Sequence, residues 1–223
     1  CVGCKLCVIA CPFGTVFLNP DTKKAYKCDL CGGDPACARA CPTDAIVAPY
    51  VLDNTKCISF LTIELRGVIP RELRPLMGDW VFGCDICQDV CPVNWKAAKG
   101  SETAFQKRHD FDAPELLPLL EMDDEEFRER FRNSPIKRTK LVGLQRNVCV
   151  ALGNLGDAKA IPALRKALVC DESLIRLHAA WALGRIGGDE ALDCLKIAIA
   201  QETDADVLDE IKITFAEWES RDL

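Results

Sequence analysis

Along the last third of the chain apolar residues return at helical spacing, and the pattern repeats itself. Val150-Ala151-Leu152-Gly153-Asn154-Leu155-Gly156 falls on Trp181-Ala182-Leu183-Gly184-Arg185-Ile186-Gly187 at a shift of 31, and Ala160-Ile161-Pro162-Ala163-Leu164 falls on Ala191-Leu192-Asp193-Cys194-Leu195 at the same shift. Two helices per repeat cannot bury their apolar stripes alone, so residues 141–218 are expected to stack repeat on repeat. Asp157, Asp171 and Asp189 are expected N-caps and Gly156 and Gly187 C-cap glycines. Residues 206–218 read as a third, degenerate repeat that caps the stack. Just upstream, Asp123-Asp124-Glu125-Glu126 precedes Phe127-Arg128-Glu129-Arg130-Phe131-Arg132, acidic first and basic last, as a helix macrodipole favours. In the first half the apolar runs are short. Residues 15–18 and 45–47 predict strands, and residues 58–64 a short helix or strand that periodicity does not separate.

Cysteine usage changes the picture. Of 15 cysteines, 12 fall within the first 91 residues. Cys1, Cys4, Cys7 and Cys11 with Pro12 spell CxxCxxCxxxCP, a spacing in which three thiolates grip one iron–sulfur cube and the fourth crosses to another. Cys28, Cys31, Cys37 and Cys41 lead into Pro42; Cys57 stands alone; Cys84, Cys87 and Cys91 lead into Pro92. Structural zinc needs only paired CxxC knuckles, and disulfides suit small secreted scaffolds with even counts, so iron–sulfur ligation is the favoured reading. Twelve thiolates match three cubes, and ferredoxin-style crossing would group Cys1, Cys4, Cys7 and Cys41, then Cys11, Cys28, Cys31 and Cys37, then Cys57, Cys84, Cys87 and Cys91. Cys149, Cys170 and Cys194 are scattered through the helical pattern and read as ordinary small buried residues; His178 reads as a helix-face histidine and not a ligand, and His109 has no partner motif. A cluster ligand at position 1 in place of methionine leads us to expect further chain upstream.

Two resemblances follow. CVGCKLCVIACPFG and KCDLCGGDPACARACPTDAI, within residues 1–50, resemble the four-cluster ferredoxin-type electron-transfer subunits of molybdopterin oxidoreductases and hydrogenases. From Cys37 onward, ACPTDAIVAPYVLDNTKCISFLTIELRG, FGCDICQDVCPVNW and FRERFRNSPIKR resemble epoxyqueuosine reductase, the cobalamin-dependent iron–sulfur enzyme of queuosine synthesis in tRNA. The intervals agree too, with 16 residues from Cys41 to Cys57 and 27 from Cys57 to Cys84. This second resemblance implies one cluster on Cys41, Cys57, Cys84 and Cys87 and another on Cys31, Cys37, Cys91 and position 34. Position 34 is Asp34, so the missing ligand is expected from Cys28, with the Asp34 carboxylate as the less favoured alternative. The repeat resembles the short HEAT-like repeats of phycobilisome lyases and of the end of many epoxyqueuosine reductases.

The expected fold is α+β, with a ferredoxin-like 4Fe-4S domain over residues 1–100, a helical connector over 101–140 and an all-α HEAT-like module over 141–223. Net charge is −6, which argues against an overall basic nucleic-acid coat. Against that background Arg132, Lys137, Arg138, Lys140 and Arg146 form a basic strip, read either as a solvated helix face or as phosphate contacts for tRNA. No run approaches the ~18 apolar residues of a membrane span, so a reducing cytoplasm is expected. The resemblance implies two or three [4Fe-4S] clusters, with cobalamin supplied by a domain or partner outside these residues, and no catalytic residue on this chain. The electron donor is expected to be a flavodoxin, a ferredoxin or a larger oxidoreductase. The alternative function is an electron-carrier subunit whose HEAT-like repeats dock it to such an oxidoreductase.

Overall fold

A computed structural model describes residues 4–6, 16–18, 21–96, 103 and 114–220. Cys1, Cys7, Cys11 and His109 lie outside them. The described chain is mostly helical, with two small antiparallel hairpins in the cysteine-rich part. β1 (Val16–Leu18) pairs with β2 (Ala25–Lys27), placing Phe17 opposite Tyr26, and β3 (Ile46–Ala48) pairs with β4 (Val51–Leu52). Short helices carry or adjoin cysteines: α1 (Ala36–Ala40) holds Cys37, α2 (Ile58–Ile63) follows Cys57, and α3 (Ile86–Asp89) holds Cys87. The apolar run after Cys57 is therefore a helix.

The second half is built from α4 (Leu116–Glu121), α5 (Asp124–Arg130), α6 (Lys140–Leu155), α7 (Ile161–Ala167), α8 (Ser173–Ile186), α9 (Asp189–Ile199) and α10 (Ala205–Glu219). α8 packs between α6 and α10 in one layer, and α7 and α9 cover it from the other. Its residues from Leu177 to Gly184 are buried in an unbroken run, as a helix apolar all round requires. The repeated glycine explains the repeated word. A Cβ on Gly153 of α6 would lie 2.9 Å from the Cα of Ala182, and one on Gly184 would overlap the methyl of Thr214 on α10. Each repeat closes on the next through a bare backbone.

Helix ends follow local chemistry with two corrections. Asp123 and Glu126 form a reciprocal capping box on α5, and the Asp157 side chain accepts the Lys159 N–H at 2.9 Å. Gly156 ends α6 in the left-handed conformation (φ 68°), and Gly187 ends α8 at φ 74°. Asp171 and Asp189 do not cap: Glu172 precedes α8 without a side-chain cap, and α9 starts at Asp189 itself after Gly188. The last helix is capped by Asp204, which accepts from Asp206 and Val207.

One apolar core runs through both halves. Ile58, Leu61, Ile69, Leu73 and Met77, from the segment between Cys57 and Cys84, join the same buried cluster as Val148, Leu164, Leu183 and Ile211. Burial of each such side chain stabilises by about 1.5–3 kcal/mol at most. The cysteine-bearing segment is thus fastened to the repeat stack along its length. α4 is fastened as well, since Gln145 Nε2 donates to the carbonyls of Leu120 at 2.8 Å and Met122 at 3.0 Å.

Candidate metal centre

α1 packs against α3, and that packing gathers the thiols at the two helix ends. Cys37 lies in α1 and Cys41 follows it; Cys87 lies in α3 and Cys91 follows it. Cys57 is the residue before α2, and its carbonyl accepts the Leu61 N–H at 2.9 Å. Cys41, Cys57, Cys84 and Cys87 line a cavity of about 80 Å³ whose remaining walls are Pro42, Thr43, Ala45, Ile46, Leu52, Ile58 and Ile86. Among the described residues no three His, Cys, Asp or Glu side chains are set to hold a single metal ion. The thiols surround a space instead.

Their electrostatics indicate what that space suits. Burial pushes the Cys84 thiol up, with the neighbouring Cys57 and Cys41 adding to it. Burial does the same to Cys87, helped by Cys84 and Cys57. Cys41 is also desolvated, but the N–H groups of Thr43, Ala45 and Ile46 and the Thr43 hydroxyl outweigh this and hold it below the ordinary thiol value. The Ala45 N–H donates to its sulfur at 3.3 Å. Crowded thiols resist joint ionisation unless cations compensate them, and metal ligation requires the thiolate. Four sulfurs in an otherwise apolar wall, with a peptide N–H aimed at one of them, fit an iron–sulfur cube.

The other candidate ligands are more open. Cys28 and Cys31 are exposed, whereas Cys37 and Cys91 are half-buried. Cys31 sits in the left-handed region (φ 52°, ψ 40°), its N–H held at 3.0 Å by the Asp29 carboxylate, and the Tyr50 hydroxyl donates to the Cys28 carbonyl at 3.0 Å. Asp34, at the position where the reductase pattern has a cysteine, is ion-paired with Arg39. Cys4 is exposed.

The basic strip needs one correction. Arg132, Lys137, Arg138 and Lys140 are exposed, but Arg146 is fully buried and offers nothing to a phosphate. Its guanidinium donates to the carbonyls of Leu61 (2.7 Å), Leu65 (2.9 Å) and Gly67 (2.8 Å) and to Oδ1 of Asn147. Burial, then the charge of Arg66, pulls its pKa down to about 10. Its place on the inner side of α6 put it out of reach. Arg138 is partly engaged by Glu64 at 2.7 Å.

Residue-type reasoning missed Thr62 and Asn147. Asn147 Nδ2 donates to the carbonyls of Thr62 (2.8 Å) and Val81 (2.9 Å), and the Thr62 hydroxyl accepts the N–H of Gly83 at 3.0 Å. The available signal was an Arg146-Asn147 pair inside an otherwise apolar helix stripe, where buried polar groups need partners.

Thiols gathered on short helices at the edge of a helical repeat stack define an iron–sulfur protein with a repeat module. Residues 27–94 match the family of 4Fe-4S double cluster binding domains, and residues 142–213 match HEAT repeats. The chain is similar to epoxyqueuosine reductases. It is 46% identical over 164 residues to the epoxyqueuosine reductase of Pseudomonas aeruginosa, covering 73% of this chain and 45% of that one. It superposes on the crystal structure of a selenomethionine-labelled epoxyqueuosine reductase with a TM-score of 0.79 and 35% identity over 84% of this chain and 50% of the other. A second structure, of epoxyqueuosine reductase with a tRNA-Tyr epoxyqueuosine-modified stem loop, matches with a TM-score of 0.79 and 35% identity over 85% and 50%. The chain therefore spans about half the length of the relatives it matches. Among the described residues no helix is long and apolar enough to cross a membrane.

Proposed function

We propose that this chain is the electron-delivering, tRNA-facing part of an epoxyqueuosine reductase, in which a ferredoxin-like double-cluster domain passes electrons toward cobalamin held outside these residues. The observation that carries the reading is the four-thiol cavity on the segment between Cys41 and Cys87, which is continuous with the repeat stack. In this reading Cys41, Cys57, Cys84 and Cys87 hold one [4Fe-4S] cluster, and Cys28, Cys31, Cys37 and Cys91 hold a second. Cys1, Cys4, Cys7 and Cys11 are left to serve a third. Each cluster, when bound, accepts and releases single electrons. The protein's own part is to hold the thiolates, to exclude water with Ile46, Leu52, Ile58 and Ile86, and to direct the Ala45 N–H at the Cys41 sulfur. Arg132, Lys137, Arg138 and Lys140 face solvent on one stretch of chain and are suited to backbone phosphates. The donor would be a flavodoxin or ferredoxin in a reducing cytoplasm. The carrier-subunit alternative leans on residues 1–50, whereas the similarity to the reductases spans both modules.

Anaerobic purification tests this directly. Iron and labile sulfide in equal amounts, with a brown chromophore and binding of a tRNA anticodon stem loop, support it. A colourless chain carrying zinc overturns it.

A further inference from the structure

Cys57 and Cys84 bracket a segment whose two ends meet at Thr62. On one side Cys57 opens α2, which carries Thr62 one turn further on; the Thr62 hydroxyl donates back to the Ile58 carbonyl at 2.7 Å. On the other side the same oxygen accepts the N–H of Gly83, the residue joined to Cys84, at 3.0 Å. The repeat stack then grips this junction. Asn147 Nδ2, on α6, bridges the Thr62 and Val81 carbonyls, so one carboxamide holds both arms of the segment. Thr139 Oγ1 donates to the Thr62 carbonyl at 3.0 Å. Behind Asn147, Arg146 fixes its Oδ1 at 2.8 Å while binding the carbonyls that end α2. Thr62, Thr139, Arg146 and Asn147 are all at most 1% exposed. Every polar atom named here has a partner, and a fully satisfied buried network is rigid.

Apolar packing already attaches the segment to the stack. The network adds a fixed spacing between its two arms, and its arms end in two thiols of the same cavity. We infer that Thr62 and Asn147, backed by Arg146, are positioning residues for the cluster of Cys41, Cys57, Cys84 and Cys87: through them the first HEAT helix sets where Cys57 stands relative to Cys84. This rests on the ligand reading above. It adds that the repeat module tunes that one cluster in addition to whatever surface it offers.

The test uses the full chain, purified and reconstituted anaerobically with iron and sulfide. Thr62→Val keeps the shape and loses both hydrogen bonds; Thr62→Ser keeps the hydroxyl. The readouts are iron and sulfide per chain, the rate of iron release to a chelator, and the midpoint potential and electron paramagnetic resonance signal of each cluster. Thr62→Val is expected to shift the potential and signal of one cluster alone and to weaken its hold on iron by about tenfold, the low end for partners of metal ligands, since Thr62 bonds the neighbour of Cys84 and not the ligand itself; iron should leave correspondingly faster. Thr62→Ser should restore wild-type behaviour. Asn147→Asp, which exchanges the donor for a carboxylate able to pair with Arg146, provides a second lesion should Thr62→Val not fold, and should perturb the same cluster. Folded variants with wild-type potentials and iron release overturn the inference. A wild-type chain that takes up no iron overturns the ligand reading beneath it instead.

Discussion

Arg74 and Glu210 meet at 2.9 Å inside the protein, bridging the segment before Cys84 to the last helix of the repeat stack, and neither side chain is more than 7% exposed. Arg74 also donates to the Ile69 carbonyl at 2.9 Å and lies 5.7 Å from the Trp181 ring centroid. Arg71 pairs with Glu210 as well. The two partners are therefore unequal. Glu210→Leu leaves the buried Arg74 without a carboxylate, while Arg71 keeps Glu217, and should cost about 3–5 kcal/mol in urea unfolding. Arg74→Leu leaves Glu210 with Arg71 and should cost about 1–3 kcal/mol. A larger loss for Arg74→Leu would contradict this arrangement.

His178 and Glu202 each give the stability a pH dependence on the acid side. His178 is fully buried; its Nε2 accepts the Ile69 N–H at 3.2 Å while Nδ1 faces the Leu174 carbonyl at 2.7 Å. Burial, then the charges of Arg74 and Arg146, hold it well below its ordinary 6.5. The fold keeps it neutral and the unfolded chain protonates it. Its contribution is complete above pH 6.5 and declines below, by up to about 1.4 kcal/mol per pH unit. Glu202 acts lower down. Its bidentate pairing with Arg176 brings it from 4.5 to about 2, so its contribution is complete above pH 4.5 and fades as pH falls toward 2. Unfolding free energies across pH should lose the upper slope in His178→Gln and the lower one in Glu202→Gln.

The two repeat glycines should respond differently to alanine. In an open helix the change would stabilise by about 1 kcal/mol. At Gly153 the new methyl meets backbone, the Ala182 Cα, and thermal unfolding should show a net cost of about 1–3 kcal/mol. At Gly184 it overlaps the methyl of Thr214, a buried β-branched side chain that is stiff at χ1, and the cost should be larger.

Charge reversal separates the exposed strip from the buried arginine. Lys137→Glu with Arg138→Glu should weaken tRNA binding and flatten its salt dependence by about one unit of slope for each phosphate no longer neutralised, with the melting temperature nearly unchanged. Unaltered binding removes the strip from the tRNA account. Arg146→Glu should instead destabilise the fold.

Iron counts sort the cysteine wirings. If Cys41 and Cys84 serve one cluster, the double variant Cys41→Ala/Cys84→Ala loses about four irons, the content of one cube, as each single variant does. Loss of about eight would place them in different clusters, as ferredoxin-style crossing requires.

Much of this was legible beforehand. The shift of 31 located the repeats, and the acidic start and basic end of residues 123–132 marked the helix that became α5, although its capping box went unread. The segment after Cys57 was ambiguous because a short apolar run fits either a strand or a buried helix turn. Asp171 and Asp189 failed as caps because the chain enters α8 through Glu172 and α9 through Gly188, so a capping residue type one position off the boundary does nothing.

Sequence by itself determined where the cysteine-rich, iron–sulfur type of segment lies and where the repeats stack, because thiol spacing and helical periodicity are local and survive without knowledge of what packs where. Only the tertiary structure decided which thiols share a cavity and what each polar residue serves. Arg146 and Lys140 read alike along the chain, yet one is sealed against the carbonyls of α2 and the other faces water. That difference depends on which side of α6 meets the segment between Cys57 and Cys84, a meeting of residues as far apart in sequence as Leu61 and Arg146.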